Sequence, residues 1–188
     1  SVLSNEVSVT VPIPQYGNLN LTASYGSVIY LPPNLANYQY RYGPSIILNG
    51  NTFDMWASAP GPGNPMDYIQ HRRGSIDTAG NVRWITNWTN AITATPGSLD
   101  QCSTCDPSVV YFNGYYYIGY TSTNVCANGG KSGNQVFVAR CNGLPDGSAS
   151  CDKWNGTGWG GNPQPIISYS GTGWGKGQPS FVVKNNTL

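Results

Sequence analysis

Charged residues are scarce in this sequence. Of its 188 residues, 9 are lysine or arginine and 8 are aspartate or glutamate, which gives a formal net charge of +1. The basic residues are scattered rather than clustered, so the chain has no electrostatic basis for capturing nucleic acid or an anionic membrane surface. Glutamate occurs once, as Glu6, and histidine once, as His71. A site built on several glutamates or histidines is therefore excluded.

Long hydrophobic runs and helical periodicity are also missing. No run approaches the length of a membrane span, and the first residues do not form a signal peptide. Glycine (24), proline (14) and tyrosine (13) are abundant instead. This composition, without a 3.6-residue apolar period, predicts a turn-rich all-β fold, and a chain of this length can bury one good core.

The clearest local pattern is a hairpin over residues 106–122. Two runs rich in β-branched and aromatic residues flank the pair Asn113-Gly114. Asn-Gly between two such runs is the strongest short-range hairpin signal, so we predict two antiparallel strands joined by a type I′ turn.

This hairpin pattern occurs three times. Pro-Ser, an apolar strand and an Asn-containing turn begin near residues 43, 106 and 178. The first two copies are followed by a further strand pair that closes on Trp84 and on Trp154, respectively. A period of about four short strands is typical of a propeller blade. We therefore predict two blades and the start of a third within residues 32–188.

Residues 1–31 do not follow the repeat. Val7, Val9 and Val11 alternate with polar residues, which predicts a half-buried strand. We expect this segment to form either a ring-closing strand of the propeller or an arm on a neighbouring subunit.

The cysteines indicate disulfide bonds and an extracellular location. Cys141 and Cys151 flank a turn at the ends of two strands predicted to pair, so a disulfide between them is geometrically easy. We expect Cys126 to pair with Cys102 or Cys105, which leaves one cysteine over. The Cys102-x-x-Cys105 spacing also suits zinc, but no second such pair exists and disulfide pairing is favoured. Four Asn-x-Ser/Thr sequons add predicted glycosylation sites, at Asn20, Asn87, Asn155 and Asn185.

The repeats resemble the blades of five-bladed propeller glycosidases. The resemblance covers roughly residues 40–188 and rests on Asp-Pro-Ser-Val-Val at 106–110, on the strand that follows Asn113-Gly114, on Phe53-Asp54-Met55-Trp56 and on the stretch 162–167 before the third copy. It extends to the arabinanase, β-xylosidase and fructosidase relatives. It implies a five-bladed type of propeller, with a shallow pocket at the axis where the innermost strands begin. It implies carbohydrate as the partner, no cofactor beyond a calcium ion at the axis, and activity on arabinosides or xylosides.

The family's chemistry needs at least two carboxylates on different blades. The equivalent blade starts here are Gly43, Asp106 and Gln178, of which Asp106 is acidic. We predict Asp106 as a catalytic base, an orienting carboxylate or a sugar ligand, although an Asp before Pro-Ser can also simply fix the start of a strand. The general acid is not evident. Asp67 falls in a predicted loop rich in Gly and Pro.

Aromatic and polar side chains near the blade starts are the other candidates. Flat rings stack on the apolar faces of sugars, while Asn, Gln and Asp take the hydroxyls. The candidate substrate-binding residues are Trp56, Tyr120, Trp174, Gln178 and Asp54.

Two hypotheses follow for the function. In the first, the chain is a secreted carbohydrate-recognising propeller whose missing acid lies in further sequence, in another chain or in the arm. In the second, it is a non-catalytic structural, cell-surface or filament glycoprotein built on the same blades. Few charges, several sequons, an odd cysteine and an extended arm fit the second hypothesis.

Overall fold

The computed structural model of the chain describes residues 40–61 and 66–188. The predicted arm at residues 1–31 and the sequon at Asn20 lie outside the described residues. The boundary at residue 32 stays a prediction.

The described residues form two antiparallel sheets. The first consists of Tyr42–Asn49 (β1), Thr52–Pro60 (β2), Asp67–Ile76 (β3) and Val82–Trp84 (β4) in this order, with Thr89–Ile92 (β5) on the other part of β3. The second consists of Ser103–Phe112 (β6), Tyr115–Thr123 (β7), Gln135–Asn142 (β8) and Ser150–Lys153 (β9) in this order. Each sheet thus has the four-strand meander that the repeat predicts, and an all-β fold is confirmed.

Two-residue turns join the first two strands of each repeat. In the second sheet, Phe112 pairs with Tyr115, and the loop residues Asn113 and Gly114 have φ values of 47° and 83°. Positive φ at both positions defines the predicted type I′ turn. Asn185 and Asn186 repeat this conformation in the third copy, with φ of 49° and 57°.

The hydrophobic core lies between the two sheets. Buried side chains of the first sheet meet those of the second, and the cluster includes Trp56, Ile69, Ile118, Tyr120 and Phe137. Alternate residues of a strand point to opposite faces, so each sheet has a second face available for a further layer.

Serine hydroxyls link each repeat to the next in the same way. The Ser45 Oγ of the first repeat accepts a hydrogen bond from the Val109 N–H of the second at 2.9 Å. One repeat later, the Ser108 Oγ accepts from the Phe181 N–H at 2.7 Å. The serine of each Pro-Ser pair therefore has a structural role, because it satisfies a backbone donor of the following repeat.

The third copy lies against the face of the second sheet that the first sheet does not cover. Val109 belongs to the core shared with the first sheet, whereas its neighbour Ser108 bonds to Phe181. A Cβ atom at Gly119 would lie 2.6 Å from the Phe181 ring, so this close approach requires glycine. Successive repeats stacked face on face agree with propeller blades. The number of blades and the closure of a ring stay predictions.

Candidate functional site

The three blade starts share one unusual backbone conformation. Gly43, Asp106 and Gln178 have φ values of 57°, 52° and 56°, respectively. In the second and third copies, the backbone N–H of this residue donates to a hydroxyl on the preceding repeat, from Asp106 to Ser58 at 2.8 Å and from Gln178 to Thr121 at 2.7 Å. The three starts therefore share a backbone conformation, and the second and third also share this hydrogen bond.

Two of these starts, Asp106 and Gln178, have a side chain in a backbone conformation that only glycine adopts without strain. The left-handed conformation costs an L-residue about 1–2 kcal/mol, although Asp tolerates it better than Gln. Backbone strain of this kind persists where the surrounding structure enforces it, and it clusters at functional sites. Asp106 and Gln178 both line the same cavity.

The cavity has a volume of about 700 Å³ and draws its walls from both sheets and from the loops that follow them. Its lining includes Asp67, Asp106, Lys131, Asn134, Trp174 and Gln178. Three of the predicted site residues, Asp106, Trp174 and Gln178, are thus brought together although they are far apart in sequence.

Asp106 sits at a break in strand pairing. The register of β6 with β7 shifts between Cys105 and Ser108, and the carboxylate of Asp106 accepts a hydrogen bond from the Cys105 thiol at 3.6 Å. Burial raises the pKa of the Asp106 carboxyl above its ordinary value. The negative charge of Asp67 raises this pKa further, and hydrogen bonds with Thr121 and Cys105 oppose the shift. Asp106 therefore holds a proton more readily than an exposed aspartate does.

Asp67 is a second carboxylate of the cavity that sequence reasoning missed. It is the first residue of β3 rather than part of a loop. Its two oxygens each accept a hydrogen bond from a tyrosine hydroxyl, from Tyr40 and from Tyr42, both at 2.5 Å. The signal was the alternation of β3, which puts Asp67 on the same strand face as the buried residues Ile69 and His71.

Trp174 lines the cavity from the segment that leads into the third copy. Its backbone oxygen accepts hydrogen bonds from both the backbone and the side-chain amide of Asn134, each at 2.9 Å. The following residue, Gly175, lies so close to Asn134 that a Cβ atom there would meet the Asn134 oxygen at 2.3 Å. The main chain at Trp174 is thus fixed, while the side chain is half exposed, as the glycines around it predict.

One of the two disulfides connects the cavity wall to the second sheet, and the other lies within that sheet. Cys102 pairs with Cys126, which decides between the two partners left open by the sequence, and Cys141 pairs with Cys151 as predicted. Cys126 precedes a 3₁₀ turn, Ala127–Gly129, and this turn leads into the cavity residue Lys131. The odd cysteine, Cys105, is a buried thiol that lines the cavity, and burial raises its pKa.

Trp56, Tyr120 and Asp54 need a correction, because the structure places them in the interior and not in the cavity lining. Trp56 is fully buried, and its indole N–H donates to the Pro145 oxygen at 2.7 Å. Tyr120 is also fully buried and donates to Asp100 at 2.9 Å.

Asp54 is buried in an ion-pair cluster. Its carboxylate bonds to His71 at 2.7 Å and to Arg73 at 2.9 Å. Trp56, Tyr120 and Asp54 thus form hydrogen bonds with other buried groups of the protein. These three residues stabilise the fold rather than face a ligand.

The described sequons differ in their environments. Asn87 and Asn185 are exposed. The Asn155 side chain closes a turn, because its oxygen accepts from the Gly158 N–H at 2.8 Å and its amide nitrogen donates to the Gly160 oxygen at 2.7 Å. An amide nitrogen committed in this way is a poor acceptor for a glycan in the folded chain. Glycosylation stays a prediction.

Within residues 40–61 and 66–188, no group of three or more His, Cys, Asp or Glu side chains is arranged to hold a metal ion. Over these same ranges, no helix has the length and apolar character needed to cross a bilayer.

Solved structures similar to part of this chain include glycoside hydrolases. Zg3597, a family 117 glycoside hydrolase of the marine bacterium Zobellia galactanivorans, aligns with a TM-score of 0.47 and 16% identity, over 61% of this chain and 38% of its own. An endo-arabinase from Bacteroides thetaiotaomicron aligns with a TM-score of 0.40 and 12% identity, over 72% of this chain and 37% of its own. A GH43 endo-arabinanase from Bacillus licheniformis aligns with a TM-score of 0.38 and 20% identity, over 61% and 39%, respectively.

Part of the chain is similar to these glycoside hydrolases. This likeness is partial, since the chain spans 37–39% of the length of these three structures. Because each of the three TM-scores is below 0.5 and no identity exceeds 20%, these likenesses assign neither a family nor an activity to the chain. No protein-family model and no curated protein matches the sequence.

Proposed function

We propose that this chain recognises carbohydrate in the cavity at the blade starts. The observation that carries the proposal is the meeting of Asp67, Asp106, Gln178 and the half-exposed Trp174 in one cavity of about 700 Å³. An indole ring matches the apolar face of a sugar, and carboxylates and amides bind its hydroxyls. Both elements of carbohydrate recognition are therefore present.

The proposed ligands are arabinosides and xylosides, the substrate class that the sequence resemblance implies. Hydrolysis would require two carboxyl groups, one protonated at the leaving group and one ionised. Among the described residues lining the cavity, Asp67 and Asp106 are the carboxylates. Asp106 takes the role of base or orienting carboxylate in this proposal.

Isothermal titration calorimetry tests recognition directly. We expect arabinotriose or xylotriose to bind, and Asp106→Asn and Trp174→Ala each to weaken binding about tenfold. Asp77→Asn is the matched control, because Asp77 is exposed in a turn where its Oδ1 accepts from the Ala79 and Asn81 N–H groups, and Asn keeps this acceptor. Equal affinities of all four proteins, or no binding of either sugar, would refute the proposal.

Hydrolysis is measured separately, with aryl arabinofuranosides and aryl xylosides as substrates. Turnover that Asp106→Asn abolishes and Asp77→Asn preserves would assign the catalytic role to Asp106. Binding without turnover would leave recognition as the whole function.

A second candidate is a structural glycoprotein, which an exposed apolar groove favours. The groove has a volume of about 420 Å³ and is lined by residues that include Trp159, Ile166, Val182 and Leu188. Val182 is 69% exposed. In this case another copy of the chain occupies the groove. Light scattering would show an oligomer that Val182→Lys disrupts.

Secretion belongs to both candidates. Two disulfides are consistent with an extracellular protein, because such bonds persist in oxidising compartments. Intact mass of the native protein would reveal attached glycans, which we expect at Asn87 or Asn185 rather than at Asn155.

A further inference from the structure

We propose that Asp67 is a positioning residue that fixes Tyr40 and Tyr42 as an aromatic platform for the ring of an uncharged sugar. This inference deepens the proposed function and rests on it. The platform is defined here as the Tyr40 and Tyr42 rings together.

The platform has the geometry of a preformed binding surface. The two ring centroids are 6.0 Å apart with an interplanar angle of 33°, and both rings line the cavity. The exposed fractions of Tyr40 and Tyr42 are 46% and 39%. Aromatic surface left open in a cavity and paired side by side is the arrangement that stacks on a flat apolar ligand face.

The carboxylate of Asp67 fixes the positions of both platform rings through hydrogen bonds to their hydroxyls. One Asp67 oxygen accepts from the Tyr40 hydroxyl and the other from the Tyr42 hydroxyl. Both hydroxyls are therefore committed within the protein, so the rings present their faces rather than their hydroxyls to a ligand. Side chains locked before binding lose less conformational entropy on binding, which favours affinity.

Asp67 also connects the platform to the second sheet. Its backbone N–H donates to the Ser103 Oγ at 3.3 Å, and Ser103 begins the strand that carries Asp106. The platform lies at the start of the first sheet, where Tyr42 begins β1, so this bond relates it to the carboxylate of the second sheet. A sugar stacked on the rings would thus be presented to Asp106.

The charge of the lining selects the class of sugar. Asp67 and Asp106 contribute two carboxylates to the cavity, and Lys131, which is exposed, contributes one cation. Because burial of a ligand carboxylate beside two protein carboxylates is unfavourable, uronic acids should be rejected relative to neutral sugars. Trigalacturonic acid is therefore the charged comparison for arabinotriose and xylotriose.

Leucine substitutions test whether the rings contact ligand. We expect Tyr40→Leu and Tyr42→Leu each to weaken binding of the neutral trisaccharides about fivefold. Tyr111→Leu is the matched control, since Tyr111 is 57% exposed and lies outside the cavity lining. Circular dichroism and thermal unfolding confirm that each variant is folded.

A double-mutant cycle tests whether Asp67 acts through the tyrosines. Asp67→Asn leaves one tyrosine hydroxyl without its acceptor, and we expect about threefold weaker binding in the wild-type background. In the Tyr40→Phe/Tyr42→Phe background the same substitution should have almost no further effect. An undiminished Asp67→Asn effect in that background would show direct ligand contact and overturn the positioning role.

The remaining outcomes separate this inference from the proposed function. If the neutral sugars bind wild-type protein and the leucine variants bind equally well, the platform is wrong and carbohydrate recognition stands. If trigalacturonic acid binds as tightly as the neutral sugars, the inferred ligand class is wrong. If none of the sugars binds, the proposed function fails and the platform fails with it.

Discussion

Gln178→Gly is expected to stabilise the chain while weakening ligand binding. Gln178 has a φ of 56°, its side chain is exposed, and the equivalent position in the first repeat is already Gly43. Replacing an L-residue in the left-handed conformation by glycine removes strain of about 1–2 kcal/mol from the folded state. The greater freedom of glycine in the unfolded chain costs about 0.5–1 kcal/mol. The net gain is about 0.5–1 kcal/mol, or about 2 °C in Tm for a chain of this size.

Urea denaturation and differential scanning calorimetry measure this gain. The hydrogen bond from residue 178 to Thr121 uses the backbone N–H, so the glycine variant keeps it. Ser180→Gly is the control, because Ser180 is exposed and has no positive φ, and it should lose about 0.5–1 kcal/mol. Equal losses in both variants would refute the argument that the blade start stores backbone strain.

Three other substitutions test features of the fold. Ser108→Ala should lower the free energy of unfolding by about 1 kcal/mol, because the Phe181 N–H loses its acceptor at a half-buried site. Lys153→Met should cost about 3 kcal/mol, because Asp100 is fully buried and would lose the Lys153 ammonium that bonds to it at 2.5 Å. Burial opposes ionisation of Asp54, yet hydrogen bonds from its basic neighbours outweigh burial and hold its pKa below the ordinary value. The stability from Asp54 is therefore full above about pH 4 and is lost as the pH falls further, so Asp54→Asn should flatten that acid slope in urea titrations.

Each of these has a matched control on the surface. Ser180→Ala, Lys184→Met and Asp152→Asn change the same residue types at exposed positions, and we expect changes within about 0.5 kcal/mol at neutral pH. If Ser108→Ala lowers the free energy of unfolding no more than Ser180→Ala does, the hydrogen bond between Ser108 and Phe181 does not stabilise the contact between repeats. Tolerance of Lys153→Met would show that the ion pair with Asp100 does not stabilise the fold. If Asp54→Asn does not change the loss of stability at acid pH, that loss comes from other carboxylates.

Local chemistry made the strands and turns predictable from the sequence. The Asn113-Gly114 turn and the disulfide between Cys141 and Cys151 depend on neighbouring residues or on one strand pair. Asp77 and Asp146 likewise bind backbone amides of their own turns, as Asp does in such sequences. These features can be predicted from the sequence because the interacting residues are close together in the chain or on one strand pair.

The candidate site was predictable where it followed the repeat and not where it depended on packing between sheets. Asp106 and Gln178 occupy equivalent positions of the repeat and Trp174 precedes a repeat start, and all three line one cavity; their roles stay predictions. Asp67 was assigned to a loop because glycines and prolines precede it, and its tyrosine partners lie 25 and 27 residues away. The burial of Trp56 was missed for the same reason, since its partner Pro145 lies in the turn between β8 and β9 of the other sheet.

The disulfide between Cys102 and Cys126 makes one wall of the cavity depend on oxidation. It spans 24 residues and attaches the chain just before the 3₁₀ turn to the start of the second sheet, whose strands are held by their own pairing. Reduction would therefore loosen this wall while the sheet stays folded. A protein prepared in a reducing cytoplasm and one prepared by secretion would therefore differ in the rigidity of this wall.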